Sequence, residues 1–88
     1  MQAVKRWSVA IEIDEHDGRT RATARLDGGA TELTGVGVAR CSPEDEDVPR
    51  IGDELAVARA LSELSHQLLE ATAADIERIT HRPAHVRI

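Results

Sequence analysis

The sequence contains no phenylalanine and no tyrosine, and among its 88 residues there are one tryptophan (Trp7), one cysteine (Cys41) and three prolines. Without aromatic bulk, the 41% of hydrophobic residues must build a core from Ala, Val, Leu and Ile alone. A thin aliphatic core on a chain this short favours recruitment of a second subunit, so a homodimer is expected. A single cysteine excludes an internal disulfide and points to a reducing compartment. No apolar run approaches the roughly 18 residues of a membrane helix, and no signal-peptide stretch opens the chain. These absences predict a soluble cytoplasmic protein with no membrane association.

Charge is unevenly placed. The net −5 falls within residues 41–54, where Glu44, Asp45, Glu46, Asp47, Asp53 and Glu54 face only Arg50, while the flanking stretches balance. The acidity is a local feature, so it does not by itself exclude a polyanionic partner.

From Trp7 to Ile13 the apolar residues Trp7, Val9, Ile11 and Ile13 recur at every second position, the period of a half-buried strand. Asp14 to Gly18 is polar and reads as a hairpin loop. A second alternating run spans Thr20 to Leu26, with Thr20, Ala22, Ala24 and Leu26 on one face and Arg21, Thr23 and Arg25 on the other. Asp27-Gly28-Gly29 signals another turn, and Glu32 to Arg40 a third strand. Gly35 and Gly37 inside that strand mark a bulge or a close backbone approach. Ser42 to Pro49 reads as an acidic loop. Beyond it Leu55, Ala58, Leu61, Leu64, Ser65 and Leu68 follow helical spacing, broadened by Val57 and Leu69. Gly52 or Asp53 is the expected N-cap. Thr72-Ala73-Ala74-Asp75 matches a capping box, which predicts a break near Thr72 and a short second helix ending before Pro83.

Few side chains are grouped for chemistry. His81 and His85 have the i,i+4 spacing of helical metal ligands, but Pro83 lies between them, and His16 and His66 stand apart. Cys41 lacks a neighbouring base in sequence, and would become a nucleophile only if His16 or His66 folded against it. Glu44–Asp47 groups carboxylates without the oxygen-ligand spacing or central glycine of a calcium loop. No catalytic, cofactor or metal site is expected. Two binding surfaces are. Arg21 and Arg25 share the polar face of the second strand, with Lys5, Arg6, Arg19 and Arg40 towards the sheet's ends. That surface suits phosphate or duplex-RNA contact, which needs no aromatic stacking. The acidic loop Glu44, Asp45, Glu46 and Asp47 suits a basic protein partner.

Several stretches together resemble a small actinobacterial family of unknown function. These are Ile13-Asp14-Glu15-His16-Asp17-Gly18-Arg19-Thr20-Arg21-Ala22 with Ala24-Arg25-Leu26, then Leu33-Thr34-Gly35-Val36-Gly37-Val38-Ala39-Arg40. Ile51-Gly52-Asp53-Glu54-Leu55-Ala56-Val57-Ala58-Arg59-Ala60-Leu61-Ser62 follows, and then Asp75-Ile76-Glu77 with Thr80-His81-Arg82-Pro83. The likeness runs from about Trp7 to Ala84. It implies a fold similar to double-stranded-RNA-binding domains, usually dimeric, with some members linked to hypoxia and dormancy. One member is likened in shape to ribosome hibernation-promoting factors, and no catalytic residue is established.

The expectation is therefore one α+β domain over residues 1–88, with a core over about 7–80 and a tail over 81–88. A three-stranded antiparallel meander is packed by a C-terminal helix, with Trp7, Val9, Ile11, Ala22, Ala24 and Leu26 meeting Val57, Leu61, Leu64 and Leu68. Ile76 and Ile79, lacking an obvious partner, are candidate dimer contacts. The expected function is a non-enzymatic stress or dormancy protein binding ribosome or RNA. An acidic protein–protein interaction module is the alternative.

Overall fold

The computed structural model describes residues 3–41 and 48–87. The acidic run Glu44–Asp47 therefore lies outside the described residues. Three strands, β1 (Ser8–His16), β2 (Arg19–Asp27) and β3 (Leu33–Arg40), form one sheet in the order β1-β2-β3, followed by a single helix α1 (Pro49–Thr80). Both strand pairs are antiparallel. The expected α+β meander with a C-terminal helix is present.

The strands extend further into the first hairpin than the polar loop suggested. Asp17 (φ 51°) and Gly18 (φ 72°) make a two-residue connection, and β1 continues to His16. Positive φ at both central positions is the type I′ geometry, whose twist matches that of paired strands and which Asp-Gly suits. At the other end Trp7 precedes β1 instead of opening it. Its indole lies against the second turn, so that a Cβ on Gly28 (φ 118°) would come 3.0 Å from the ring's Cδ1. Trp7 belongs to the turn and does not reach the helix-side core.

Cross-strand register assigns the sheet faces. Val9, Ile11 and Ile13 stand opposite Leu26, Ala24 and Ala22, and Ala22 and Ala24 stand opposite Gly37 and Gly35. Residues directly opposite share a face, so all of them point to the side that carries α1. The glycines decide where the helix sits. A Cβ on Gly35 would fall on the Ala60 carbonyl and 2.6 Å from the Leu64 nitrogen. One on Gly37 would fall on the Ala56 carbonyl and the Ala60 nitrogen. The helix backbone thus rests directly on β3, the close approach that glycine in a strand permits. Its buried ridge is Ala56, Ala60 and Leu64, packed on Ala22, Ala24, Leu26 and Ala39.

This placement corrects the expected core. Alanine spaced by four residues, not the leucine stripe, faces the sheet, because only a methyl fits where backbone meets backbone. Leu64, Leu68 and Val57 do join the core, but Leu61 is 40% exposed. Val9, Ile11 and Ile13 are 41–44% exposed. They lie on the correct face but beyond the reach of a helix drawn over β2 and β3.

The helix also starts earlier and ends later than expected. Pro49 occupies its first turn after Val48, so neither Gly52 nor Asp53 is the cap. Proline suits that position because its missing N–H has no acceptor there. There is no break at Thr72, and among the described residues no second helix follows. The Thr72 hydroxyl donates to the Leu68 carbonyl at 2.8 Å, inside a continuous helix. The end comes at His81, in the left-handed region (φ 59°), whose N–H donates to the Glu77 carbonyl at 2.7 Å.

Two stability measurements check this packing. Gly37→Ala should lower the thermal midpoint by an amount equivalent to about 1–3 kcal/mol, the usual cost of overpacking, since a backbone carbonyl cannot step aside. Leu64→Ala should cost about 2–5 kcal/mol and Leu61→Ala well under half as much, the order set by burial. Equal losses for the two leucines would contradict the alanine ridge.

Candidate anion-binding surface

The sheet face away from α1 carries the even-numbered residues of β1 and β3 and the odd-numbered residues of β2. Arg19, Arg21, Arg25 and Arg40 all project there, as the alternation predicts, but they are not equivalent. Arg25 is tied to Glu32 through its Nε at 3.2 Å. Arg19 stands directly opposite Arg40, with Arg21 two residues further along β2 on the same face. These three carry no ion pair among the described residues.

Two arginines in direct register across a strand pair repel one another. An exposed arrangement of this kind stabilises the fold less than almost any other pairing would. An anion placed between the two guanidiniums would relieve the repulsion. A shallow cleft of about 260 Å³ opens beside the pair, lined by His16, Asp17, Gly18, Arg19, Arg40 and Cys41. Its floor is fixed by the β1–β2 turn, which Cys41 anchors by donating its N–H to the Gly18 carbonyl at 2.8 Å.

The six basic residues singled out in the sequence do not form one patch. Lys5 and Arg6 precede β1, and the Arg6 carbonyl lies near Gly28, at the opposite end of the sheet from Arg19 and Arg40. At ~3.4 Å per residue the two groups stand about 25–30 Å apart. Carboxylates also share this face: Asp14 opposes Arg21, and Glu12 opposes Thr23. Positive charge is concentrated at the Arg19–Arg40 end.

Cys41 and His16 do line the same cleft. The His16 Nε2 meets the Asp17 carboxylate at 3.2 Å, both side chains being exposed. His66 contacts Glu70 at 2.9 Å one helical turn away, and His81 caps α1. Among the described residues no three His, Cys, Asp or Glu side chains gather as metal ligands. No helix there is long and apolar enough to cross a membrane.

One set of working residues escaped the sequence reading. Arg59, Glu63 and Gln67 project from α1 over the outer edge of β3 and bond three of its open backbone groups. Arg59 donates to the Val38 carbonyl at 2.7 Å, the Val36 N–H donates to Glu63, and Gln67 donates to the Thr34 carbonyl at 2.8 Å. Their i, i+4, i+8 spacing is visible in the sequence, but a polar helical stripe looks like an ordinary solvated face until a strand edge is beside it.

Known proteins fit this architecture. A family profile described as Rv2632c-like matches residues 5–85. The protein Mb1767 of Mycobacterium bovis is 54% identical over 83 residues, covering 94% of this chain and 88% of that one. Rv2632c of Mycobacterium tuberculosis is 53% identical over 79 residues, covering 90% and 85%. The crystal structure of Rv2632c superposes with a TM-score of 0.84 at 51% identity, covering 93% of this chain and 98% of that one.

If Arg19 and Arg40 are kept for a ligand, Arg40→Glu should stabilise the free protein. Turning a like-charge pair into an opposite-charge pair is worth about 0.2–1 kcal/mol. The expected result is a raised thermal midpoint together with lost polyanion binding. A lowered midpoint would show that Arg40 serves the fold.

Proposed function

The chain belongs to the Rv2632c-like family, and from that premise we propose that it is a non-enzymatic cytoplasmic protein that binds RNA phosphates, with the ribosome as its stress-phase target. The observation that carries the reading is the Arg19–Arg40 juxtaposition, extended by Arg21, which has no ion-pair partner among the described residues and stands on the sheet face opposite α1. Three guanidiniums on a rigid strand pair suit the phosphates of a duplex backbone. Such contact reads shape and charge without base stacking, in keeping with a sheet that carries no phenylalanine, tyrosine or tryptophan. The order of three strands and a helix accords with the likeness to double-stranded-RNA-binding domains, and the hibernation-factor likeness supplies the ribosome. The net charge of −5 is no obstacle to this reading, because its excess carboxylates fall within residues 41–54. The other reading, an acidic module docking a basic protein through Glu44–Asp47, has no observation in the described residues to favour it.

Co-sedimentation with ribosomes on a low-salt gradient, and binding to a plain RNA duplex, test the proposal. Affinity should fall steeply with salt, and each of Arg19→Ala, Arg21→Ala and Arg40→Ala should weaken binding and reduce the log–log salt slope by roughly one. Arg25→Ala, already committed to Glu32, should change the slope least. Protein left at the top of the gradient, with no duplex binding at low salt, would remove the RNA reading.

A further inference from the structure

Between the first two turns of α1 and the hairpin end of the sheet lies a cavity of about 230 Å³. Ala39, Val48, Ile51 and Leu55 supply aliphatic walls. Two polar side chains border it from the sheet, Glu15 on β1 and Thr20 on β2. Both belong to the helix side, since Thr20 alternates with Ala22 and Ala24 and stands directly opposite Glu15. Arg40 also borders the cavity, but its side chain projects to the other sheet face.

Thr20 is the polar exception on its face. Ala22, Ala24 and Leu26, which follow it at every second position, are buried and apolar, whereas Thr20 is 5% exposed and carries a hydroxyl. That hydroxyl has no hydrogen-bond partner among the described residues. Nor is it sealed in. No fully enclosed side-chain oxygen among the described residues lacks a partner, so Oγ1 keeps an opening, and the opening is the cavity. A Cβ on Gly52 would come within 2.9 Å of Oγ1, so glycine at this helix position keeps the space before the hydroxyl clear. A hydroxyl held this way costs stability that valine, with the same shape, would not.

Glu15 is exposed and makes no ion pair among the described residues. The two-residue turn makes His16 and Arg19 a hydrogen-bonded pair, so Glu15 and Thr20 form the next, non-hydrogen-bonded pair. Side chains approach most closely in such pairs. The carboxylate accepts and the hydroxyl can donate, yet they do not bond each other. They stand instead as two polar points beside an aliphatic cavity.

We propose that this cavity binds a small primary aliphatic amine, its ammonium held between Glu15 and Thr20 and its methylenes against Ala39, Val48, Ile51 and Leu55. An ammonium carries three donors and no acceptor, so one group serves the carboxylate and the hydroxyl oxygen together. An alcohol brings a single proton, and a carboxylate would meet Glu15 as a like charge. A hard divalent cation asks for about six oxygens or more, and two oxygen-bearing side chains do not supply them. The volume is that of roughly eight waters, room for a chain of about six carbons. Arg50, in the first turn of α1, is engaged by Glu54 at 3.7 Å, so its charge is already met. The site goes beyond RNA binding and does not depend on it, since the arginine surface is on the opposite sheet face.

Titration of hexan-1-amine into the free protein at neutral pH, followed by amide chemical shifts and calorimetry, tests the proposal. The expected result is saturable one-to-one binding with shifts centred on Gly18, Thr20, Gly52 and Leu55. Hexan-1-ol and hexanoate should bind at least about tenfold more weakly. Nα-acetyl-lysine amide, whose backbone must stay outside the cavity, should also bind more weakly than the free amine. That arm separates a small-molecule site from one that takes a protein's lysine. Glu15→Gln, at an exposed position that leaves the fold intact, should lower affinity about tenfold, the loss of a charge-assisted bond. Thr20→Val should lower it about threefold and raise the thermal midpoint of the free protein, and Thr20→Ser should retain binding. Absence of saturable shifts, equal affinity for hexanoate, tighter binding of the lysine amide, or undiminished binding by Glu15→Gln or Thr20→Val would each overturn the proposal. So would shifts confined to the exposed stripe of Val9, Ile11 and Ile13.

Discussion

Everything in this fold follows from the contact between a glycine-bearing strand and an alanine-bearing helix. Gly35 and Gly37 let the backbone of α1 descend onto β3 until Ala56, Ala60 and Leu64 touch it directly. Close contact of this kind compensates for the missing aromatic bulk. A core without phenylalanine or tyrosine cannot fill a wide gap between layers, so the layers come together instead. The cost is reach. A helix that sits low over β2 and β3 leaves β1 uncovered.

The same descent explains the asymmetry of the sheet's edges. Only because α1 lies close to β3 are arginine, glutamate and glutamine side chains long enough to reach its outer backbone. Completing those groups on one side protects the sheet from adding strands there. The opposite side has no such guard among the described residues. The outward face is a third environment, where like charges gather at the Arg19–Arg40 end without regard to stability. An arginine-rich face, a sealed edge and an exposed strand thus trace back to where one helix was allowed to rest.

Much of this was legible beforehand. Alternation in Val9–Ile13 and Thr20–Leu26 identifies two strands because β-branched and small residues with period two have few other uses, and Asp17-Gly18 marks their turn. Gly35 and Gly37 were readable as a bulge or a close approach, and the helix backbone resting on them selects the second. What could not be read was depth. Leucine at helical spacing normally faces a core, and no local signal says that alanine will take that place because glycine waits across the layer. Likewise Thr72-Ala-Ala-Asp75 has the composition of a cap, but the threonine hydroxyl finds an acceptor one turn back and the helix runs on. In the candidate site, alternation placed Arg21 and Arg25 on one face. Only the strand register distinguished the paired Arg25 from the juxtaposed Arg19 and Arg40.

The ladder of Arg59, Glu63 and Gln67 on Val38, Val36 and Thr34 works as a vernier. Four residues of helix rise about 6.0 Å and two residues of strand about 6.8 Å, so the two scales nearly coincide but do not. Over three rungs the accumulated offset is about 1.6 Å, which flexible side chains absorb. A fourth rung would need a polar side chain at position 71, which is Ala71, and a strand residue at position 32, which precedes β3. The near-coincidence of the two periods therefore lets a helix of this kind stay in step with a strand for as long as both supply partners. Here the contact stops at Gln67 because both run out, while α1 itself continues to Thr80.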